Sequence, residues 1–284
     1  MLGFACICNS LDQQGKFRSL TVKRASQMQD DKRQQLIKKL TLENLDNTLS
    51  ILYYCRANDI GLYRISSKLI VLDSHPLNKW QWWSDEDVLH ICNKIARIKE
   101  VKLSIHPDQF NVINSPDGKV FQNTKTTLES QARLCELLGI KTMCLHVGGV
   151  YGDKKRAKER FIKNFYRLPK NVQNLIHLEN DDKSYSVTDV LEICQIINRP
   201  MILDWHHNKC LPSKWDLNEV IKTWNGRKPK CHLSSGKTNS TDRKHAEYVV
   251  VSDYNKCLED TKGLFDIMLE CKQKELALKK LRGY

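Results

Sequence analysis

The chain has 284 residues, of which 40% are hydrophobic, so it is long enough for one large domain or two small ones with a sizeable core. The net charge of +13 favours a polyanionic partner, although a lysine-rich surface that serves only solubility is the alternative. No apolar run reaches the roughly 20 residues of a membrane span, and residues 1–10 lack the basic start of a signal peptide. A membrane protein or a secreted protein is therefore not expected.

Eight short runs of β-branched and other apolar residues are predicted to be strands. They are Leu2–Ile7, Leu62–Ser66, Val101–Ile105, Thr142–Val147, Leu175–Leu178, Met201–Leu203, Lys230–Leu233 and Phe265–Leu269. Most of these runs are separated by a segment that has helical periodicity or residues typical of helix ends. The predicted helices are Asp30–Asn58, Val88–Ile98, Thr124–Leu138, Lys154–Leu168, Val187–Ile197, Leu217–Trp224, Glu247–Asp260 and Glu275–Leu281.

Eight strands that alternate with eight helices are typical of the α/β class and of a (β/α)₈ TIM barrel, whose usual size is about 250 residues. The sequence has no linker rich in proline, glycine or serine, so residues 1–284 are interpreted as a single domain. An open, doubly wound α/β sheet has a similar pattern and is the alternative.

Eleven cysteines are scattered along the chain, and only Cys6 and Cys8 lie close together in sequence. No Cys-x-x-Cys motif occurs, which argues against a zinc ribbon. An odd number of thiols without an export signal predicts a reducing compartment, the cytoplasm.

The predicted strands end in residues that bind metals, and in a (β/α)₈ barrel those ends meet at the mouth that holds the active site. These residues are His106, His146, Glu179, Asp204 with His206 and His207, His232, and Glu270. A single histidine there would be interpreted as structural, but burying so many polar groups is costly unless something binds them. Mixed nitrogen and oxygen ligands suit Mn²⁺, Zn²⁺ or Fe²⁺. Because the carboxylates can bridge ions, the pattern predicts a hydrolytic centre with several metals that attacks phosphorus.

Side chains alternate between the two faces of a strand, and this alternation predicts different roles for the remaining lysine and histidine residues. Lys230 and His232 lie two residues apart, so their side chains share a face. A lysine cation is unfavourable beside metal ions, so Lys230 is predicted to lose its charge or to become a carboxylated, anionic ligand. A lysine that extends to solvent is the alternative. His177 shares a face with Glu179 but lies deeper, which indicates packing or support of a ligand, and His90 falls on the surface of a predicted helix.

Two familiar motifs are excluded. Ser235–Thr238 resembles the end of a phosphate-binding P-loop, but that motif needs a glycine five residues before Gly236, where Cys231 stands. No His-Glu-x-x-His segment occurs, which argues against a metalloprotease.

The ordered motifs of the chain resemble those of the UV damage endonuclease family, metal-dependent DNA repair enzymes on a (β/α)₈ barrel. The matching segments are His106-Pro-Asp-Gln-Phe, His146-Val-Gly-Gly, Leu178-Glu-Asn-Asp, Asp204-Trp-His-His, Lys230-Cys-His-Leu-Ser-Ser and Asp266-Ile-Met-Leu-Glu270. The resemblance covers nearly the whole chain. It implies incision of damaged double-stranded DNA immediately 5′ to cyclobutane dimers, 6-4 photoproducts or abasic sites, leaving a 3′-hydroxyl and a 5′-phosphate.

The resemblance also implies the residues of the centre. The implied metal ligands are His75, His106, His146, Glu179, Asp204, His207, His232, His245 and Glu270. The implied catalytic residues are Glu179, Lys230, His232 and Glu270, and Lys230 matches a lysine that the family carboxylates. The implied metal is manganese, with zinc or cobalt as alternatives, and the protein is expected to be a monomer.

The loops at the mouth carry the implied DNA contacts. Gln109 and Phe110 match a pair that probes the duplex, and the family often has tyrosine in place of Phe110. Asn9 matches a DNA contact in the first loop, which also has basic residues suited to phosphates, namely Lys16, Arg18, Lys23 and Arg24. An ordinary exposed loop is the alternative for Gln109 and Phe110.

Three other functions are alternatives to damage-specific incision. One is an apurinic endonuclease without photoproduct activity. Another is a metal-dependent sugar isomerase on the same barrel, against which the charge of +13 and the Gln109-Phe110 loop argue. The third is a DNA-binding protein with structural metals and no enzymatic activity.

Overall fold

In the computed structural model, which describes residues 1–283, eight parallel strands close into a barrel in chain order. The strands are β1 (Leu2–Ala5), β2 (Leu62–Ile65), β3 (Lys102–Ile105), β4 (Met143–His146), β5 (Ile176–Glu179), β6 (Met201–Asp204), β7 (Lys230–Leu233) and β8 (Asp266–Leu269). Leu2 of β1 pairs with Ile267 of β8, which closes the ring. The (β/α)₈ barrel is thereby confirmed and the open sheet is excluded. The expected domain of residues 1–284 includes one residue, Tyr284, outside the described range.

Helices occupy the connections between strands and follow the last one. They are α1 (Val22–Ser26), α2 (Asp30–Ala57), α3 (Glu86–Arg97), α4 (Gly118–Leu138), α5 (Lys154–Phe165), α6 (Lys170–Leu175), α7 (Val187–Ile197), α8 (Trp205–Cys210), α9 (Leu217–Lys222), α10 (Val251–Asp260) and α11 (Lys274–Leu281). Two 3₁₀ segments, Asn9–Gly15 and Trp82–Ser84, precede α1 and α3. None of the helices within residues 1–283 is both long and apolar enough to cross a membrane.

Caps and tertiary contacts account for the helix boundaries that differ from the predictions. Helix α4 begins at Gly118, six residues before Thr124, because the Asp117 side chain accepts the amides of Lys119 and Val120. Helix α10 begins later than the predicted Glu247. The carbonyl groups of Ala246 and Glu247 accept hydrogen bonds from the amides of residues 272 and 273. They therefore cannot accept the hydrogen bonds of a first helical turn.

Three short helices were not predicted, namely α1, α6 and α8. They have five or six residues, which is too short for a 3.6-residue period to show. Helix α8 matters for the site because it begins directly after β6. The Asp204 side chain accepts the amide of His207 at 2.7 Å, which starts the helix and keeps His207 beside the strand end.

Alternation along the strands divides the interior into two environments. On β2, Tyr63 and Ile65 belong to the large apolar core, whereas Leu62 packs with Ala5 and Met268 in a separate cluster. Nearer the carboxyl ends of the strands, buried polar side chains replace the apolar ones. This polar layer holds the residues described next.

Candidate metal centre

Most of the candidate ligands lie at the carboxyl ends of the strands. His146, Glu179 and Asp204 are the last residues of β4, β5 and β6, and His106 and Glu270 directly follow β3 and β8. Strand pairing sets His146 opposite Glu179 and Asp204 opposite His232. Because all eight strands are parallel and end at the same face of the barrel, these side chains converge at one mouth, as the sequence predicted.

Glu179 is the carboxylate that the other side chains surround, and it is only 1% exposed. Its Oε1 lies 2.5 Å from His232 Nδ1, and its Oε2 lies 3.1 Å from His106 Nε2 and 3.7 Å from His146 Nε2. The thiol of Cys144 donates to Oε2 at 3.1 Å. Three imidazoles and one thiol therefore fix the orientation of this carboxylate.

Glu270 lies beside Glu179 and shares a partner with it. Its Oε1 lies 3.0 Å from His232 Nδ1 and accepts a hydrogen bond from the Arg64 guanidinium of β2. The carbonyl of Glu270 faces His245 Nδ1 at 2.8 Å. The segment after β8 thus contacts two of the candidate imidazoles.

The third carboxylate, Asp204, pairs with His207. The two side chains lie 3.5 Å apart, and His207 Nδ1 faces the carbonyl of Asn180 at 3.0 Å. The Asn180 amide exchanges two hydrogen bonds with the backbone of Asp204, at 2.8 and 2.9 Å. With a backbone carbonyl as partner of Nδ1, the Nε2 atoms of His207 and His245 remain for a ligand, which is the usual support of a metal-binding imidazole.

The enclosed charges shift the pKa values of the centre in opposite directions. Burial favours a neutral Glu179, but the neighbouring imidazoles, His232 foremost, hold the pKa of Glu179 well below its usual range. Burial, with the charges of Glu179 and Glu270, raises the pKa of Asp204 to about 7. Burial opposes a charged His207, but Asp204 and Glu179 outweigh it and raise the pKa of His207 to about 9. Glu179 is thus ionised near neutral pH, whereas the Asp204–His207 pair retains protons.

The donors fit divalent metal ions. Three sets of side chains offer ligand atoms that all lie within 4.8 Å of one another. The sets are His106, His146 and Glu179; Cys144, Glu179 and His232; and Glu179, Asp204, His232 and Glu270. Asp204 Oδ2 and His146 Nδ1 are buried and have no hydrogen-bond partner within residues 1–283. Leaving such atoms unpaired is costly, and a bound cation supplies the missing partner for the carboxylate.

The two remaining candidate ligands lie on loops. His245 follows the loop after β7, and its ring centroid is 6.1 Å from that of His207. His75 lies in the loop after β2, where its Nδ1 accepts the amide of Leu77 at 3.1 Å. His75 does not belong to the three sets of close ligand atoms that the described residues form. Its role as a ligand stays a prediction.

Lys230 lies at the opposite end of its strand from the mouth. It is the first residue of β7, pairs with Asp266 and is only 8% exposed, so it does not extend to solvent. Its Nζ donates to the Thr142 hydroxyl at 3.2 Å. Burial, strengthened by the nearby charge of Lys102, lowers the pKa of Lys230 to about 8. Burial thus makes the neutral amine easier to form, but at neutral pH most of Lys230 keeps its proton, so loss of charge and carboxylation both stay predictions.

Three further histidines do not belong to the candidate ligands. His206 of α8 is buried, and its Nε2 faces the carbonyl of Asp242 at 2.9 Å. His177 is buried below Glu179, its Nδ1 faces the carbonyl of Leu175 at 2.8 Å, and its ring lies 5.1 Å from that of Trp224. This position agrees with the expected packing role. His90 is exposed on α3, as predicted.

Gln109 and Phe110 form the tip of a turn beyond β3. The amide of Asn111 donates to the carbonyl of Asp108 at 2.9 Å, which closes the turn. The Ser67 hydroxyl donates to the Asp108 carboxylate at 3.0 Å and links the turn to the neighbouring loop. Gln109 is exposed, and the Phe110 ring is 80% exposed. A large apolar ring presented by an anchored turn is suited to insertion into another molecule.

The first loop also borders the mouth. Asn9 begins the 3₁₀ segment, and the following Ser10 is held by hydrogen bonds of its amide and hydroxyl to Glu275, at 2.8 and 3.1 Å. The predicted phosphate-binding residues of this region are all exposed: Lys16, Arg18, Lys23 and Arg24.

Ser235–Thr238 is not a phosphate-binding loop, in agreement with the sequence argument. Gly236 pairs with His245 in an antiparallel bridge, and the amide of Lys237 donates to the carbonyl of Lys244 at 2.7 Å. A Cβ at Gly236 would lie 2.0 Å from the carbonyl oxygen of Asn239, so the turn requires glycine. The segment is a hairpin-like loop that leads into His245.

Two residues of the centre were missed in the sequence. Arg64 contacts Glu270, and Cys144 contacts Glu179. A signal for Arg64 exists, because it is the single charged residue within the apolar strand Leu62–Ile65. Cys144 has no such signal, since a cysteine within a buried strand is ordinary.

Comparisons with known proteins agree with this centre. A family model described as UV-endonuclease UvdE matches residues 1–283. The UV DNA damage endonuclease of Bacillus mycoides (strain KBAB4) is 34% identical over 279 residues, which cover 93% of this chain and 87% of the relative. The protein of the same name from Bacillus thuringiensis subsp. konkukian (strain 97-27) is 34% identical over 276 residues, covering 92% and 86%.

Solved structures extend the likeness to the fold. The crystal structure of SacUVDE has a TM-score of 0.89 and 28% identity, and covers 99% of this chain and 96% of that chain. Endonuclease IV from Thermus thermophilus has a TM-score of 0.56 and 15% identity, with coverage of 83% and 93%, so it supports the fold alone. By its match over nearly the whole sequence and its similarity to these relatives, the chain belongs to the UV-endonuclease UvdE family.

Proposed function

We propose that this protein is a metal-dependent DNA repair endonuclease that incises the phosphodiester immediately 5′ to ultraviolet photoproducts. Membership of the UV-endonuclease family makes it a hydrolase that cuts DNA. The proposed substrates are cyclobutane dimers, 6-4 photoproducts and abasic sites, and the proposed products carry a 3′-hydroxyl and a 5′-phosphate. The observation that carries the proposal is the set of imidazoles and carboxylates that surround Glu179 at the barrel mouth.

The proposed ligands are His106, His146, Glu179, Asp204, His207, His232, His245 and Glu270, with His75 as a further ligand. Ions bound there would supply activated water and stabilise the charge that develops at phosphorus during in-line displacement. Glu179, His232 and Glu270 already contact one another, at 2.5 and 3.0 Å from the shared imidazole nitrogen. Little reorganisation is then needed when substrate arrives.

We propose Mn²⁺ as the metal, with Zn²⁺ or Co²⁺ as alternatives. Imidazole nitrogen and carboxylate oxygen atoms are ligands for all three ions. Reconstitution of the stripped protein with each ion, followed by an incision assay, identifies the metal. Highest activity with Mg²⁺ would contradict this choice, because Mg²⁺ prefers oxygen ligands and retains its waters.

The exposed turn supplies the proposed recognition of damage. Gln109 and Phe110 would enter the duplex where a lesion has weakened stacking, because a poorly stacked nucleotide is easier to extrude. Asn9 and the basic residues of the first loop would hold the backbone near the mouth. The overall charge of +13 supports this contact with phosphates.

Lys230 is proposed to be carboxylated and, because it lies at the opposite end of β7 from the mouth, to contribute to catalysis without touching the substrate. Its burial and its pKa of about 8 support the presence of the neutral amine that such a reaction needs. Native mass spectrometry at neutral pH in bicarbonate should show an adduct of one carbon dioxide that is absent from Lys230→Met. Absence of the carbon dioxide adduct from the wild-type protein would refute the modification.

The test of the proposed function compares supercoiled plasmid before and after ultraviolet irradiation. With Mn²⁺, the irradiated plasmid should be nicked and the intact plasmid spared. Equal nicking of both plasmids, or none, would contradict damage-specific incision. End-labelled oligonucleotides with a single dimer then locate the cut and the chemistry of its ends.

Two alternatives are separated by further assays. Incision of an abasic oligonucleotide without incision of a dimer oligonucleotide would indicate an apurinic endonuclease. Binding to DNA that weakens as salt is added would exclude a sugar isomerase. Contacts with DNA phosphates release counterions and therefore depend on salt, whereas binding of a neutral sugar releases none. We still expect the protein to be a monomer and to act in the cytoplasm.

A further inference from the structure

Arg64 has no part in the reaction proposed above, although it lies inside the same polar layer. It is the third residue of β2, and its side chain is 11% exposed. Its neighbours Tyr63 and Ile65 belong to the large apolar core, so alternation directs Arg64 into the barrel. The barrel order places β1 between β2 and β8, and Ala5 of β1 pairs with Arg64.

The contact with Glu270 is specific to one oxygen. Arg64 Nη1 donates to Glu270 Oε1, and His232 Nδ1 lies 3.0 Å from the same atom. Within residues 1–283, no other lysine or arginine nitrogen lies within 4.0 Å of the Glu179, Asp204 or Glu270 carboxylate; the remaining ion pairs of these groups are to histidine. Among the described contacts of these three carboxylates, the one from Arg64 to Glu270 is therefore the one with a permanently charged partner.

We propose that Arg64 is a positioning residue, which fixes the orientation of the Glu270 carboxylate through Oε1 and so prepares it to bind a metal ion. The proposal rests on the proposed function, because it assigns Arg64 to the same metal centre. A carboxylate ligand is free to rotate and to bind through either or both oxygens unless another group fixes it. A guanidinium fixes it firmly, since it keeps its charge at any working pH and donates in a rigid geometry.

The experiment is a double-mutant cycle read by metal binding. Arg64→Met removes the contact, Glu270→Gln removes the ligand charge, and the third variant combines them. The Mn²⁺ affinity is measured without DNA, by competition with a chelator and by elemental analysis after dialysis. Circular dichroism checks the fold. The matched control is Arg199→Met, which removes a partly buried arginine whose Nε donates to the Ile176 carbonyl at 3.2 Å, at the start of β5.

We expect Arg64→Met to weaken Mn²⁺ binding about 10- to 100-fold, as loss of a group that orients a ligand does. Arg64→Lys keeps the charge without the planar fork and should lose less. Because Arg64 acts through Glu270, the double variant should bind Mn²⁺ no more weakly than Glu270→Gln alone. Arg199→Met should bind Mn²⁺ as the wild type does.

Wild-type affinity in Arg64→Met, or losses that multiply in the double variant, would overturn the proposal. If Arg64→Met does not fold, the same cycle is run with Arg64→Lys, and multiplying losses again overturn it. Failure of the proposed function has a different signature. A wild-type protein that binds Mn²⁺ but spares irradiated plasmid contradicts the function and leaves the assignment of Arg64 in place.

Discussion

At the scale of single residues, the centre is organised by Glu179, whose two oxygens face three imidazoles and a thiol. We expect Glu179→Ala to lower metal content and to reduce incision roughly 100-fold or more, since removing even a supporting group of a ligand costs 10- to 100-fold. Binding to damaged DNA should persist, because phosphate contacts and the Gln109-Phe110 turn are untouched. Glu136→Ala, an exposed site on α4, is the control. Unchanged incision by Glu179→Ala would remove this residue from the reaction.

The Asp204–His207 pair predicts a pH dependence of metal affinity. A metal binds the deprotonated ligands, whereas without metal the pKa is about 7 for Asp204 and about 9 for His207. Below pH 7 the Asp204–His207 pair alone must release two protons, which lowers Mn²⁺ affinity by up to about 100-fold per pH unit. Burial opposes a charged His232, but Glu179 and Glu270 raise its pKa, so loss of its proton adds to the slope. Between pH 7 and 9 the pair must release one proton, which contributes up to about tenfold per pH unit. Chelator competition from pH 6 to 9 measures it, and a flat profile would contradict these shifts.

At the scale of elements, the loops after the strands carry the contacts with substrate, and the turn at Gln109 and Phe110 is the most exposed of them. Replacing both residues with alanine should reduce the preference for damaged over intact DNA about tenfold, because stacking of a base on a ring contributes about 1–3 kcal/mol. The metal content should not change, since neither side chain belongs to the sets of close ligand atoms.

Tyr166→Ala is the control for that double variant, because Tyr166 is 53% exposed and follows α5. The readout is incision of single-dimer and intact oligonucleotides at equal enzyme concentration. Loss of metal from the Gln109→Ala, Phe110→Ala protein would mean that the turn supports the centre instead of reading the duplex.

At the scale of the whole molecule, the barrel gathers three carboxylates into a buried layer in which Arg64 is the permanently charged partner. Metal binding should therefore stabilise the folded state. At a free Mn²⁺ concentration 100 times the Kd, the gain is about 2.7 kcal/mol for one site. For a protein of 284 residues, with an unfolding entropy of about 2.1 cal/mol/K per residue, that corresponds to a rise in Tm of roughly 4–5 °C. Thermal unfolding in Mn²⁺ and in chelator measures the shift, and equal Tm values would contradict a bound ion.

The sequence was sufficient for the architecture and for most of the centre. Each of the eight strands was predicted from a short apolar run, and their alternation with helices indicated the barrel that the structure confirms. His106, His146, Glu179, Asp204 and Glu270 were identified as convergent because parallel strands of a barrel end at one mouth. The short helices α1, α6 and α8 were missed, since five or six residues show no period.

The sequence by itself determined which residue types stand at the strand ends, because strand and helix periods are local properties of the chain. Only the tertiary structure decided which of them touch. Arg64 meets Glu270 across 206 positions of sequence, and Cys144 meets Glu179 across 35. The start of α10 likewise depends on backbone pairing with residues 272 and 273. Such contacts follow from the register of paired strands and the closure of the ring, which no local pattern contains.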